Sequence, residues 1–261
     1  MLGIIGYGKM GSAIAKFALK KISKIYVRDL KKIKKLPKGV KQTNLYELLK
    51  ISKVVLLAVK PQDMKDLLFD IDEILGYGER KKKLFITIAA GLRIKFYEDY
   101  LGKDVRLIRV MPNICIRVGH CTGCYMLNKN VKKKDIFIFE KIFGKNLIRV
   151  KNEELFDVVT ALSASSPAFI AKFMKAFSNF AVKNKLSKRE AEKLIIEATL
   201  GTALLLKEEK ISFDELIESV ASKKGTTAAG LKEWKKYKLD ILLNKILLKT
   251  LKRAKQLAKG K

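Results

Sequence analysis

The sequence predicts an α/β fold built on a mostly parallel sheet, followed by an all-helical C-terminal domain. Three observations carry that expectation. The first half alternates short apolar, β-rich runs with amphipathic stretches, the pattern of strands wound into one sheet with helices on both faces. A glycine-rich turn, "GYGKMG", joins the first of those runs to an Ala-rich segment. Beyond residue 150, apolar side chains recur at helical rather than strand spacing. The expected division is 1–150 for the sheet domain and 151–261 for the helical one.

Taken in order, "LGII" (2–5), "KIYV" (24–27), "VVLLAV" (54–59), "LFITIAA" (84–90) and "VRLIRVM" (105–111) are the expected strands, with helices between them. The run at 54–59 is apolar without alternation, as a strand covered on both faces should be. In the second half, "SSPAFIAKFMKAFSNFAVKNK" places Phe169, Ile170, Phe173, Met174, Phe177 and Phe180 at helical intervals. It is apolar around much of its circumference, which suits burial among helices or at a subunit contact. "SKRE" (187–190) reads as a capping box, with Ser187 accepting from the first helical amides and Glu190 three residues on. The last stretch carries Leu239, Leu242, Leu243, Ile246, Leu247 and Leu251 along one side, with lysines elsewhere. It lacks the aromatic anchors of membrane-surface helices, so packing against another subunit is the expected role.

The balance of 56 Lys+Arg against 26 Asp+Glu gives a formal net charge of +30, which favours anionic partners such as nucleotide phosphates and carboxylate substrates. The lysines are spread through every segment and accompany no helix-turn-helix, RNA-recognition or zinc-finger signature, so no specific nucleic-acid partner is expected. No apolar run reaches the length of a membrane span, and the opening residues lack a signal peptide's charged region and cleavage site; the expected location is the cytoplasm, with no membrane partner. Cys115, Cys121 and Cys124 are too few for a disulfide scaffold. On a strand, residues three apart point to opposite faces, so Cys121 and Cys124 read as buried, inert thiols and no metal site is expected. His120 is the only histidine.

In "LGIIGYGKMGSAIA", Gly6, Gly8 and Gly11 follow an apolar strand and open a helix, the context that turns a bare G-x-G-x-x-G into a Rossmann-type dinucleotide-binding signal. Gly6 permits the turn, Gly8 lets a pyrophosphate approach the backbone, and Gly11 lets the helix pack on the strand. Tyr7, Lys9 and Met10 belong to the same cofactor-binding turn, where a helix start offers free amides and a partial positive charge. After the second strand, Asp29 could hold the ribose hydroxyls of NAD, whereas Arg28 with Lys31 and Lys32 could hold the 2′-phosphate of NADP. The cationic surroundings favour NADPH, with NADH as the alternative. Ala58, Val59, Lys60 and Pro61 end the next strand, on the side where such sheets bind ligands, and Pro61 suits a first helical position. Ala90, Pro112 and Asn113 occupy the tips of the fourth and fifth strands, where small residues leave room for a nicotinamide; Asn44 completes the expected cofactor-binding set.

With these motifs in order, "IGYGKMGSAI", "LLAVKPQ", "RVMPN", "LSASSPAF" and "VASKKGTTAAGL", the chain resembles the pyrroline-5-carboxylate reductase family along nearly its full length. The resemblance implies a C-terminal dimerisation domain, a homodimer or ring of dimers, and the NAD(P)H-dependent reduction of 1-pyrroline-5-carboxylate to L-proline, the last step of proline biosynthesis. It also implies that Ser222, Gly225, Thr226 and Thr227 bind the substrate, with Thr227 as the catalytic residue beside the ring nitrogen. Read as residues alone, Thr226 and Thr227 serve equally well as plain helix caps, though the amides of a helix start at Gly225 can receive a carboxylate. The site is then expected between the domains, with the second chain of a dimer able to supply one side. Ile114 and Cys115, Ala164, Ser165 and Ser166, and Lys224 depart from the family's usual residues. The competing readings are another NADP-dependent imine, hydroxyacid or deazaflavin-linked reductase with the same first domain, or a basic binding protein without turnover.

Overall fold

The computed structural model describes residues 1–258. They divide into two units, Met1–Ser165 together with the chain from Thr250 onward, and Ser166–Lys249.

The first unit is built on strands β1 (Leu2–Ile5), β2 (Ile25–Arg28), β3 (Val40–Gln42), β4 (Val54–Leu57), β5 (Leu84–Thr87), β6 (Arg106–Pro112), β7 (Gly123–Leu127) and β8 (Leu147–Arg149). Among the described residues they form one sheet in the order β3-β2-β1-β4-β5-β6-β7-β8. Neighbours are parallel except at β6–β7, where Ile108 faces Leu127 and Pro112 faces Gly123 in antiparallel register. The winding reverses direction between β1 and β4, so the crevice beyond their carboxyl ends is the topological switch point at which such sheets take ligands.

Strand alternation assigns each apolar side chain to one of two cores. Leu2, Ile4, Val54, Leu56, Leu84 and Ile86 face Ala13, Ile14 and Ala18 of α1 (Lys9–Ala18) and, further along, Phe139 and Phe143 of α6 (Lys133–Phe143). Ile5, Val55, Leu57, Phe85 and Leu107 face Leu48 and Leu49 of α2 (Leu45–Ile51), Leu68 of α3 (Met64–Ile74) and Tyr97 of α5 (Ile94–Leu101). Burial on both faces is why β4 is a continuous apolar run. A short helix, α4 (Tyr77–Lys81), leads into β5. Arg109 of β6, 3% exposed, is held by Glu153 at 2.7 Å; the same carboxylate oxygen accepts the Ile94 amide at 2.8 Å, and the guanidinium lies 4.1 Å from the Phe156 ring. Breaking a buried pair of this kind leaves an uncompensated charge.

The structure departs from the sequence expectation in the number and length of strands. β3 has only three residues, two of them polar, too few to show a period. β8 is equally short. The runs expected at 54–59 and 84–90 leave the ladder at Leu57 and Thr87, so Ala58, Val59 and Ala90 lie on the rim. β7 depends on Gly123, whose φ is +144° and where a Cβ would stand 1.8 Å from the Met111 carbonyl oxygen. Cys121 and Cys124 sit in different apolar clusters, and burial pushes their thiols up to about 11 and about 12.

After α7 (Leu155–Val159), residues 160–164 form a π-turn in which the Ser165 amide reaches Thr160 O at 3.0 Å. The second unit contains α8 (Ser166–Lys183), α9 (Lys188–Glu208), α10 (Phe213–Val220), α11 (Thr226–Lys236) and the start of α12 (Leu239–Ala258). Ser187 and Glu190 form the expected capping box. The long C-terminal run is broken between α11 and α12, where Lys238 takes φ +51°. Phe173, Phe177 and Phe180 of α8 remain 42%, 49% and 70% exposed. No helix among the described residues is long and apolar enough to cross a membrane.

Gly123→Ala combines a disfavoured φ with a backbone collision, so unfolding free energy measured by urea titration should fall by about 3 kcal/mol or more. A loss below about 1 kcal/mol would show that β7 does not need this close approach.

Candidate cofactor and substrate sites

β1 ends in the glycine turn. Gly6 adopts φ +96°, its amide donates to Arg28 O at 2.8 Å, and a Cβ there would stand 2.6 Å from the Ala58 carbonyl oxygen. A Cβ on Gly11 would lie 2.0 Å from the Gly6 carbonyl oxygen. Both glycines are therefore required by the protein's own packing. Gly8 is different: a Cβ there meets nothing within 4 Å. Gly8 is also the N-cap of α1, with no capping side chain and no acidic residue in the first turn. The amides opening α1, around Lys9 and Met10, thus lack a side-chain partner and face open space, a cradle that fits a dinucleotide's diphosphate.

A cleft of about 480 Å³ runs beside this turn, lined by Gly6, Gly8, Arg28, Ala58, Val59 and Lys60 among others. Asp29 accepts from the Tyr7 amide at 2.7 Å and from the Lys31 amide at 3.0 Å, one bond to each carboxylate oxygen. It braces the glycine turn, and Tyr7 is thereby fixed through its backbone. The cleft is less cationic than the "RDLKK" run suggests. Asp63, Asp66 and Asp70 line it too, together with Leu30, which is 84% exposed. None of these four stood among the expected site residues. The signal was present: after Lys60 and Pro61, carboxylates recur at intervals of three and four, one face of a helix.

Pro61 opens a 3₁₀ turn that continues into α3, with Lys60 as its N-cap. Asn44 caps α2, its side-chain oxygen accepting from the Glu47 amide at 2.8 Å. Asn113 is 5% exposed; its amide donates to Thr122 O at 3.1 Å and its side-chain oxygen accepts from the Thr122 amide at 3.3 Å, which ties the end of β6 to the lead into β7. Ala90 packs against the cluster formed by Met111, Cys124, Val150, Phe156 and Val159. Pro112 closes β6 opposite Gly123.

In the second unit, Ser222 to Thr227 form a compact loop into α11. The Gly225 amide donates to Ser222 O at 3.0 Å, and a Cβ on Gly225 would stand 2.4 Å from the Ser222 hydroxyl oxygen. Gly225 is the N-cap, without a capping side chain and with no acidic residue in the first turn. By contrast α9 and α10 start at Ser187 and Ser212, each in a capping box with a glutamate. The hydroxyls of Thr226 and Thr227 are therefore inside the helix rather than capping it, and the first amides of α11 are left for an anion. Thr226 is exposed and Thr227 half-buried. Lys224 takes φ +62°, a left-handed conformation that glycine adopts without strain.

Residues 153–257 match the family model for pyrroline-5-carboxylate reductase dimerisation, and residues 1–91 match the model for coenzyme F420-dependent NADP oxidoreductases. The chain is 34% identical over 239 residues to pyrroline-5-carboxylate reductase of Aquifex aeolicus, covering 88% of this chain and 87% of that one. It is 32% identical to the Methanosarcina acetivorans enzyme of the same name, covering 99% of this chain and 98% of that one. Among solved structures, the Plasmodium falciparum pyrroline carboxylate reductase with NADP bound superposes with a TM-score of 0.87 at 25% identity, covering 98% of this chain and 97% of that one. The Coxiella burnetii pyrroline-5-carboxylate reductase gives 0.86 at 30% identity with the same coverage.

Lys224→Gly should remove a left-handed cost of about 1–2 kcal/mol while adding about 0.4–1 kcal/mol of unfolded-state freedom, a net gain of up to about 1.6 kcal/mol. The urea midpoint should rise at unchanged slope. A fall would mean that the lysine side chain stabilises the loop.

Proposed function

Because the chain belongs to the pyrroline-5-carboxylate reductase family, we propose that it reduces 1-pyrroline-5-carboxylate to L-proline with NAD(P)H, Thr227 and the start of α11 receiving the substrate. The observation that carries the substrate assignment is the uncapped helix start at Gly225, where amides and a helix dipole stand without a capping side chain or an acidic residue in the first turn. When bound, the cofactor supplies the hydride that reduces the C=N carbon. The protein's own task is alignment and exclusion of water. The amides of Thr226 and Thr227 hold the carboxylate, with Ser222 across the loop, and the Thr227 hydroxyl orients the ring nitrogen. A protonated imine is already electrophilic, so a hydroxyl that positions this nitrogen suffices without an imidazole or carboxyl acid.

The turn at Gly6, Gly8 and Gly11, with the first-turn amides of α1, holds the diphosphate. Asp29 already accepts two backbone amides, whereas the Arg28 side chain forms no ion pair among the described residues; this supports NADPH as the preferred cofactor, with NADH also accepted. The dimerisation family match and the exposed aromatic face of α8 support a homodimer, or a ring of dimers, formed through the C-terminal helices. Three free thiols suit the reducing cytoplasm, where we place the enzyme.

NADPH oxidation by the purified chain should be seen with pyrroline-5-carboxylate and not with a panel of ketoacids; turnover only with the latter would refute the assignment. Thr227→Ala should lower kcat/KM on the order of a hundredfold, with Thr227→Ser recovering most of it. A loss of less than about threefold for the alanine variant would remove Thr227 from the site.

A further inference from the structure

At the opposite end of the parallel strands, where β4, β5 and β6 begin, a second cleft of about 470 Å³ is lined by Lys50, Lys53, Lys82, Lys83, Arg106 and Lys134. Two carboxylates also line it, Glu79 and Asp135, and both are engaged. Glu79 pairs with Lys82 at 2.6 Å; Asp135 pairs with Arg106 and accepts the Lys132 amide at 2.9 Å. Lys83 is 5% exposed, and its ammonium donates to the carbonyls of Leu49 and Ser52 at 2.5 and 2.9 Å, closing the end of α2. Burial lowers its pKa; Glu79 opposes the shift, and the nearby Lys50 charge adds to it. Lys50, Lys53 and Lys134 are exposed and form no ion pair among the described residues, although the Lys50 charge reaches Glu79 at longer range. The cleft therefore gathers positive charge that the protein itself does not neutralise.

The type of cation narrows the ligand. A planar carboxylate is best gripped by an arginine fork, and Arg106 is already committed to Asp135 and to the Lys82 carbonyl. Lysines are point charges on flexible stems, suited to tetrahedral anions with many oxygens. No aromatic side chain lines the cleft, so it offers no platform for a nucleobase. We propose that this cleft binds a compact oligophosphate, two or three linked phosphate groups recognised without a base, at a site separate from the glycine turn.

Calorimetry with tripolyphosphate, at low salt and with NADPH saturating the cofactor site, tests this. One saturable site is expected on the full chain. The double variant Lys53→Gln, Lys134→Gln should weaken it about tenfold, and a control pair in the turn after α1, Lys20→Gln with Lys21→Gln, by less than about twofold. NADPH affinity and the thermal midpoint should be unchanged in both variants. ATP should bind no more tightly than tripolyphosphate. Absence of saturable binding, equal weakening by both variants, or markedly tighter ATP binding would each overturn the proposal.

Discussion

The approach of α1 to the turn that precedes it is the constraint on which the cofactor half of this protein depends. With a hypothetical Gly11 Cβ only 2.0 Å from the Gly6 carbonyl oxygen, any side chain at that position would lever the helix away from β1. The helix axis, the direction of its free amides and the width of the cleft beside Ala58 and Val59 all follow from that contact. Gly6 enforces it from the other side through its positive φ and its closeness to the Ala58 carbonyl. Asp29 then locks the turn from β2 by accepting the Tyr7 amide. One acid and two glycines thus fix a short stretch of backbone whose remaining feature, the open space at Gly8, serves no packing purpose.

The two helix starts assigned to binding share a physical logic. α1 and α11 each begin at a glycine, lack a capping side chain, and carry no acidic residue in the first turn. Other helix starts are closed by protein groups in different ways: Asn44, Ser187 and Ser212 cap with their side chains, Glu153 takes the first amide of α5, and α4, which also begins at a glycine, carries Glu79 in its first turn. With glycine at the N-cap, forgoing a capping side chain costs only about a few tenths of a kcal/mol. Accepting that cost makes sense where a ligand's negative groups restore the missing hydrogen bonds. The formal charge of +30 does not decide where anions bind, because the cofactor cleft itself contains Asp63, Asp66 and Asp70. What counts is the local arrangement of amides and charged side chains, and net charge sets only the background field.

The parallel sheet, the glycine turn and the helical second half were legible because each leaves a strong local signal: apolar runs covered on both faces, a motif at a strand-helix junction, and a 3.6-residue period. β3 and β8 were not, since three residues show no period. β7 was hidden because its pairing rests on one close approach at Gly123, which a sequence does not display. The bracing role of Asp29 was not legible for a related reason. Its side chain could serve a ribose or a backbone amide, and only the fold of the turn decides. The acidic face of α3 was readable in its spacing, yet its address in the cofactor cleft required the sheet order. Thr226 and Thr227 were ambiguous between caps and ligands because the sequence does not show where the helix starts; with Gly225 as the N-cap they are not the caps, and their role toward a ligand stays a proposal.

Gly8→Ala tests the central claim most directly, because it separates the protein's needs from the ligand's. Gly8 has an ordinary φ of −71° and empty space where a Cβ would go, so the variant should fold with stability within about 1 kcal/mol of the parent. NADPH affinity measured on the same sample should fall by at least about tenfold, since the added methyl occupies the approach of the diphosphate. Unchanged NADPH affinity in a normally folded Gly8→Ala protein would contradict the account, because the turn would then not be where the cofactor is held.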